Sequence, residues 1–257
     1  MASYGKGMMG GVVAAGLLFA APGVSEAAFI YQDSFNREAF LNNAAPDIAP
    51  GGETWTALEE AGPAPATDGE VLSFGASRRN MYLPFEPGEA VYELSVDVRT
   101  HGVDDSSEWH GLGFMGQDPR LEEGNMAFGG DPEGGRPWML LRNNGAAVTF
   151  AGPGGDNNLG GPGEGTFDPD VFHTLRLVLD TTAEQWTVDY FINDTQIGDT
   201  FTYSENPDIG SVGLSASGGS GFVFTYDNFE LIPEPASLAL MGLGGLLLLR
   251  RSRQAEA

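Results

Sequence analysis

Residues 172–199, FHTLRLVLDTTAEQWTVDYFINDTQIGD, contain two segments in which apolar and polar side chains alternate. The apolar face of the first segment has Leu175, Leu177 and Leu179, and that of the second has Trp186, Val188, Tyr190 and Ile192. Alternation with a period of two is typical of strands that bury one face. The polar stretch between the segments suits a short connection. We therefore predict two antiparallel strands with a common apolar face.

Other parts of the chain repeat this pattern. Residues 91–99, VYELSVDVR, alternate in the same way, and 111–116 and 222–231 are further short apolar segments. Residues 138–150, WMLLRNNGAAVTF, are typical of a hairpin with Asn144-Gly145 at the turn, a pair that tolerates positive φ. With 38 glycines, 16 prolines and no long helical pattern, the sequence predicts an all-β, antiparallel β-sandwich.

The charge of the chain is strongly negative. Of 257 residues, 36 are acidic and 12 are basic, and residues 28–232 contain 33 acids, eight arginines and no lysine. Such a surface repels nucleic acid and anionic lipid headgroups, so no nucleic-acid partner is expected. A salty medium, bound divalent cations or simple solubility would each explain it. The chain has no cysteine, which excludes disulfides and thiolate metal sites.

Residues 1–27 have the pattern of a secretory signal peptide. Lys6 precedes the apolar run 8–21, and the small residues Ser25 and Ala27 occupy the −3 and −1 positions of a cleavage site after Ala27. We therefore predict export across the inner membrane.

A second apolar run lies near the C-terminus, where residues 236–249 are uncharged and mostly apolar. As a helix they would rise about 21 Å, less than the ~30 Å of a hydrocarbon core. Arg250 and Arg251 could extend the span by snorkelling and would remain cytoplasmic by the positive-inside tendency. We predict a transmembrane helix that leaves residues 28–232 outside the inner membrane.

The C-terminal segment resembles the PEP-CTERM sorting domain of exopolysaccharide-producing Gram-negative bacteria. The residues that carry the resemblance are the tripeptide Pro233, Glu234 and Pro235, the apolar helix, and the arginines Arg250 and Arg251. The resemblance implies that exosortase, a membrane-embedded cysteine transpeptidase-like enzyme, processes the tail near the tripeptide. A plain single-span anchor is the alternative.

This resemblance sets the predicted domain organisation and location. The segments are a signal peptide at 1–27, a β-sandwich ectodomain at 28–232 and a sorting signal at 233–257, divided into tripeptide 233–235, helix 236–249 and arginine-rich tail 250–257. The helix would hold the chain in the membrane before processing. The mature protein is expected in the cell envelope, at the cell surface or in the extracellular matrix.

The order of strands in residues 171–231 resembles the concanavalin-A-like lectin/glucanase jelly rolls. The residues that carry it are the strand pair at 172–199, then IGSVGLSASGG at 209–219 and FTYDNFEL at 224–231, while FIYQDSFNR at 29–37 fits a first strand beside the last. The resemblance implies this fold, and it implies a structural calcium ion that such jelly rolls often hold.

Asp33 and Asp227 are the candidate calcium ligands. Each has the parity of the aromatic residues in its own segment, so each is predicted on an apolar face. A buried carboxylate needs a cation or several hydrogen-bond donors. If the first and last strands are neighbours, one calcium ion with oxygen ligands could serve both. An arginine partner, or strands whose outer faces carry these aromatics, are the alternatives.

Trp109 and Trp138 flank loop-rich stretches and are the candidates for contact with carbohydrate, because tryptophan rings stack on sugars. Core packing is the alternative for both. The compact Glu-x-Asp-x-(x)-Glu strand of laminarinase-type relatives is absent. The sequence thus favours a non-catalytic matrix or surface protein that is structural or carbohydrate-associated. The alternatives are an adhesion module with a defined glycan ligand and a divergent glycosidase.

Overall fold

The computed structural model describes the ectodomain with gaps. It covers residues 28–59, 66–68, 71–74, 79–101, 108–117, 136–151, 158–218 and 223–234. The predicted signal peptide, the predicted membrane helix and Arg250 and Arg251 lie outside these ranges. All regular structure in the covered ranges is β-strand. No helix there is long and apolar enough to cross a membrane.

The first of two antiparallel sheets has ten strands. They are β1 (Tyr31–Asp33), β2 (Glu38–Phe40), β4 (Ala66–Asp68), β5 (Leu72–Phe74), β7 (Val91–His101), β12 (His173–Asp180), β13 (Thr187–Ile192), β14 (Thr195–Gln196), β15 (Phe201–Thr202) and β17 (Val223–Pro233). The order is β14-β13-β12-β7-β17-β5-β4-β2, with β1 paired to β17 and β15 paired to β13.

The second sheet has seven strands. They are β3 (Thr56–Glu59), β6 (Arg79–Pro84), β8 (Trp109–Met115), β9 (Trp138–Arg142), β10 (Ala147–Phe150), β11 (Asn158–Gly160) and β16 (Ser211–Ser217), in the order β11-β10-β9-β8-β16-β6-β3. The all-β antiparallel sandwich predicted from the sequence is confirmed.

The core lies between the two sheets and follows the predicted alternation. Leu175, Leu177 and Leu179 of β12 are fully buried, and β12 pairs with β13 in the register that places Leu177 opposite Tyr190. The seven-stranded sheet contributes alternate residues of its own strands, such as Leu112 and Phe114 of β8. Each such large apolar side chain contributes about 1.5–3 kcal/mol when fully buried.

Tyrosine hydroxyls join the two sheets across this core. The Tyr226 hydroxyl donates to the backbone carbonyl of Ser215 at 2.8 Å, and the Tyr31 hydroxyl donates to that of Pro84 at 2.5 Å. Because a buried hydroxyl without a partner is costly, these bonds restrict how the sheets can slide over each other.

The β9–β10 connection is the predicted hairpin. Gly145 has φ +77°, and the Arg142 amide donates to the Ala146 carbonyl at 2.7 Å. The glycine is required here because L side chains rarely adopt this conformation.

The first and last strands are neighbours, as the resemblance to jelly rolls implied. Tyr31 pairs with Leu231, and the Ile30 amide donates to the Leu231 carbonyl at 2.9 Å. The chain therefore enters and leaves the sandwich at the same end. The pairing of β17 with β7 shifts register between Asp227 and Glu230, where Asn228 has φ +50°. This β-bulge decides which face each residue of β17 occupies.

Candidate functional site

Asp33 is a fully buried carboxylate that is neutralised by an arginine. Arg37 donates to both of its oxygens, Nη1 to Oδ1 and Nη2 to Oδ2, at 2.6 Å each. Trp55 Nε1 donates to Oδ2 at 2.7 Å, and the Phe35 amide donates to Oδ1 at 2.9 Å. Two parallel charge-assisted bonds and two further donors replace the water that the carboxylate lost. Asp33 thus has the arginine partner that the sequence left open as an alternative.

Asp227 lies on the opposite side of the same sheet. Tyr226 and Phe229 are both buried in the core although their numbers differ in parity, because the bulge at Asn228 adds a residue between them. Asp227 is therefore turned outward, and it pairs with Asp97, whose neighbours in β7 are buried. The sequence prediction assumed regular alternation without a bulge, and it therefore placed Asp227 on the inward face.

The prediction of one calcium site formed by Asp33 and Asp227 is therefore wrong. The sheet separates the two side chains, and the buried one is already compensated by Arg37. Across the described ranges, no group of three or more histidine and carboxylate side chains is placed to hold a metal ion.

The outward face of the ten-stranded sheet is polar, and we call it the acidic face. It is defined by Glu93, Asp97, Asp180, Asp189, Asp227 and Glu230, with the arginines Arg99 and Arg176 among them. Asp97 accepts hydrogen bonds from Thr174 at 2.5 Å and from Asn228 at 2.9 Å. Burial raises the pKa of Asp227, the Asn228 amide partly opposes this, and the charge of Asp97 raises it further.

The outward face of the seven-stranded sheet is mostly apolar, with Arg142 at the end of β9, and we call it the neutral face. It holds an apolar cluster of Trp109, Met115, Trp138 and Leu140, with Tyr82, Val148 and Phe150 packed against it. The strands β6, β8, β9, β10 and β16 that form this face contain no aspartate or glutamate.

The two tryptophans of this face are buried, with Trp109 5% and Trp138 2% exposed. Phe150 stacks on Trp138, with the ring centroids 3.9 Å apart and the planes at 6°. The rings of Trp109 and Trp138 are 5.8 Å apart. Their neighbours occupy the surfaces that a sugar ring would need, so the structure gives both tryptophans the packing role that the sequence left open. Tyr82 and Phe150 are the partly exposed aromatics of this face.

A pair of buried polar side chains also belongs to the neutral face, and sequence reasoning missed it. Asn80 of β6 and Ser215 of β16 are paired in register and are 0% and 1% exposed. Within the described parts of the chain, neither amide atom of Asn80 nor the Ser215 hydroxyl has a hydrogen-bond partner. The sequence could have placed Asn80 on the outward face of β6, because it is two residues from Tyr82 and so lies on the same face.

The end of β17 overlaps the sorting signal predicted from the sequence. Pro233 is the last residue of the strand, and Glu234 follows it with its amide bonded to the Val91 carbonyl at 2.8 Å. Residues 231–254 match the PEP-CTERM protein-sorting motif. The chain carries a PEP-CTERM sorting motif. This motif marks an exported, exosortase-processed protein of the cell envelope. Pro235 lies beyond the described residues.

No curated protein matches this chain by sequence, but solved structures share its fold. The carbohydrate recognition domain of Emp47p superposes with a TM-score of 0.53 at 12% identity, covering 82% of this chain and 98% of that one. The endo-1,3-β-glucanase of Streptomyces sioyaensis has a TM-score of 0.55 at 11% identity, covering 81% and 97%. At these identities the likeness establishes the lectin/glucanase jelly-roll fold alone.

One neighbour bears on metal binding. The carbohydrate recognition domain of Emp46p has a TM-score of 0.51 in its metal-free form, at 13% identity and covering 77% of this chain and 96% of that one. A potassium-bound form of the same domain is also known.

Proposed function

We propose that this protein is an exported, non-catalytic β-sandwich that binds or is embedded in glycan outside the cell, after exosortase has processed its tail. The observation that carries the proposal is the direct continuation of a jelly-roll's last strand into the sorting motif. The motif accounts for delivery to the envelope, and the sandwich is the part that remains to act there.

The proposed glycan surface is the neutral face. Its strands β6, β8, β9, β10 and β16 carry no carboxylate, so they do not repel an approaching polysaccharide, including an anionic one, whereas the acidic face would repel anionic chains. Tyr82 and Phe150 supply partly exposed rings for stacking on sugars. Two structural neighbours, a carbohydrate recognition domain and a glucanase, are consistent with a carbohydrate ligand.

The distribution of carboxylates supports a non-catalytic role. Most glycoside hydrolases need two carboxyl groups on either side of the scissile bond. The strands β6, β8, β9, β10 and β16 supply none to the neutral face. Asp97 and Asp227 are opposite each other in the sheet, but they lie on the acidic face. The Asp97 carboxylate already accepts hydrogen bonds from Thr174 and Asn228.

The test compares aromatic substitutions on the two faces. The mature protein is applied to immobilised exopolysaccharide from the producing cells, with Tyr82→Ala and Phe150→Ala on the neutral face. Phe191→Ala on the acidic face is the matched control, where Arg176 lies 4.1 Å from the ring centroid. We expect each neutral-face variant to weaken binding up to about tenfold, the value of one aromatic contact of about 0.5–1.5 kcal/mol.

Equal losses from all three variants, or no binding by the wild type, would contradict the glycan surface. Release of reducing sugar from the polysaccharide that is abolished by Asp97→Asn with Asp227→Asn would contradict the non-catalytic role. Both measurements use correctly processed protein, so they are independent of whether sorting occurs.

A further inference from the structure

The connection between β12 and β13 borders an open hollow at one end of the ten-stranded sheet, and we call it the end hollow. Its volume is about 470 Å³, and it is lined by residues 87–89, residues 181–184, Trp186 and Asn206. A second hollow of about 580 Å³ shares Glu184 and Asn206 with it, so the two adjoin. None of these residues belongs to the acidic face or the neutral face.

Hydrogen bonds fix the walls of the end hollow. The Asn206 side chain accepts from the Trp186 amide at 2.9 Å through Oδ1, and it donates to the Glu184 carbonyl at 2.9 Å through Nδ2. On the other wall, the Thr181 hydroxyl accepts from the Ala90 amide at 3.0 Å. These bonds join segments outside the strands, so the hollow is formed before a ligand enters it. Such pre-organisation lowers the cost of binding.

Trp186 is the aromatic residue of the end hollow. Its side chain packs against the core, but it is only partly buried and also lines the hollow. The other tryptophans of the chain are at most 5% exposed: Trp55, Trp109 and Trp138. A partly exposed indole beside polar walls offers the surface on which a sugar ring can stack.

The charge of the end hollow is negative. Glu89 and Glu184 line it and are exposed, and none of the described residues that line it is basic. An anionic sugar would therefore be repelled. A protonated amine would be attracted by both carboxylates, and by the face of the indole ring through a cation–π contact. The saccharide that best complements the hollow is one that carries such an amine.

We propose that the end hollow is a second saccharide site, which binds an amino sugar with a free amino group through the ring of Trp186 and the carboxylates of Glu89 and Glu184. The site goes beyond the glycan surface proposed above, because it shares no residue with the neutral face. It also gives the acidic protein a preference among polysaccharides, for those with positively charged units.

Acrylamide quenching of tryptophan fluorescence measures occupancy of the end hollow, because Trp186 is the tryptophan that solvent reaches. Protein purified from the producing cells is titrated with a glucosamine oligomer at about pH 6, where an amine is protonated. The N-acetylglucosamine oligomer is the uncharged comparison, and a galacturonate oligomer is the anionic one. We expect the glucosamine oligomer to protect Trp186 and to bind about tenfold more tightly than the acetylated oligomer. The galacturonate oligomer should give no protection.

Charge variants separate the end hollow from the general acidity of the surface. Glu89→Gln with Glu184→Gln removes two charges from the hollow, and Glu164→Gln with Asp199→Asn removes two exposed charges that do not line it. All four side chains are exposed, so neither pair of substitutions disturbs the core. We expect the first pair to weaken binding of the glucosamine oligomer about tenfold, and the control pair to weaken it less than about twofold.

Equal losses from the two pairs of substitutions, or equal binding of the glucosamine and N-acetylglucosamine oligomers, would overturn the assignment of an amino sugar. If no oligomer protects Trp186, the end hollow is not a saccharide site. That result would leave the neutral face unaffected, since its own aromatic variants test that surface.

Discussion

The two outward faces of the sandwich differ in charge although both are made of antiparallel strands. The acidic face presents carboxylates from β7, β12, β13 and β17, and the neutral face is covered by packed aromatic and aliphatic side chains. The acidic face exposes charges that keep molecules apart, whereas the apolar cluster of the neutral face is itself buried, with its four members 0–5% exposed. One sheet therefore buries a single face, and the other buries apolar side chains on both of its faces.

The largest expected effect comes from placing a charge on each face. Leu140→Asp would bury a carboxylate in the apolar cluster and remove a well-packed leucine, with an expected loss of about 5 kcal/mol, close to the total stability of many domains. Val178→Asp, on the acidic face beside Arg176 and opposite Glu93 and Asp189, stays in contact with solvent and should cost about 1–2 kcal/mol. Urea unfolding of both variants measures the difference. Equal losses would mean that the faces do not differ in environment.

The next effect separates an ion pair whose carboxylate is fully buried from one whose carboxylate is partly exposed. Arg37→Met leaves Asp33 charged and buried, which should cost about 3–5 kcal/mol. Arg176→Met removes the pairing to Glu93 on the acidic face, 3.1 Å away, and should cost about 1 kcal/mol or less. Asp33→Asn should restore part of the loss in Arg37→Met and none in Arg176→Met. Chemical denaturation tests this, and the absence of rescue would contradict the role of Arg37.

Acid should affect the core before it affects the acidic face. Burial, with a contribution from His173, lowers the pKa of His110 to about 3, while its Nδ1 lies 2.8 Å from the Thr100 hydroxyl. Between pH 6.5 and about 3 the unfolded chain binds a proton that the folded chain does not. The stability that neutral His110 contributes is therefore complete above pH 6.5 and decreases as the pH is lowered towards 3.

The slope for one such group is about 1.4 kcal/mol per pH unit, and from pH 7 to 5 the loss should be about 2 kcal/mol. His110→Gln keeps a side chain that can bond Thr100 but cannot titrate, so its stability should change less over this interval. Melting curves at pH 7, 6 and 5 measure it. An unchanged slope in the variant would show that His110 is not responsible.

The smallest effect concerns repulsion on the acidic face. Because burial and Asp97 raise the pKa of Asp227, its charged form costs stability above its folded pKa. Asp227→Asn should therefore raise the melting temperature slightly at pH 7, and the gain should vanish as the pH falls towards 4. Added salt should produce a similar gain in the wild type and a smaller one in the variant. A lower melting temperature in the variant at pH 7 would contradict the repulsion.

Sequence reasoning located most of the core because alternation directly reports which side chains a strand buries. The faces of β12 and β13 follow from it. The hairpin at Gly145 followed from the Asn-Gly pair, and the pairing of β1 with β17 was implied by the resemblance to jelly rolls. The sorting motif was equally accessible, since its tripeptide, apolar run and arginines are contiguous and need no tertiary contact.

The candidate site was harder to predict than the core, because each error in predicting it depended on a tertiary contact or a backbone irregularity. A parity argument assumes a regular strand, and one bulge at Asn228 moved Asp227 to the other face. Arg37, four residues from Asp33, was within reach of it, but its choice of partner depended on the packing of Trp55.

The sequence by itself determined the all-β class, the acidic surface and the sorting signal, because composition and local periodicity are sufficient for each. Only the tertiary structure decided that Trp109 and Trp138 pack together and that Glu234 is bonded to Val91. It also decided that the Asn80 and Ser215 side chains are buried without hydrogen-bond partners among the described residues. These facts depend on which distant strands become neighbours. The pairing of distant strands is set by the free energy of packing the whole core. A local segment of sequence does not contain that information.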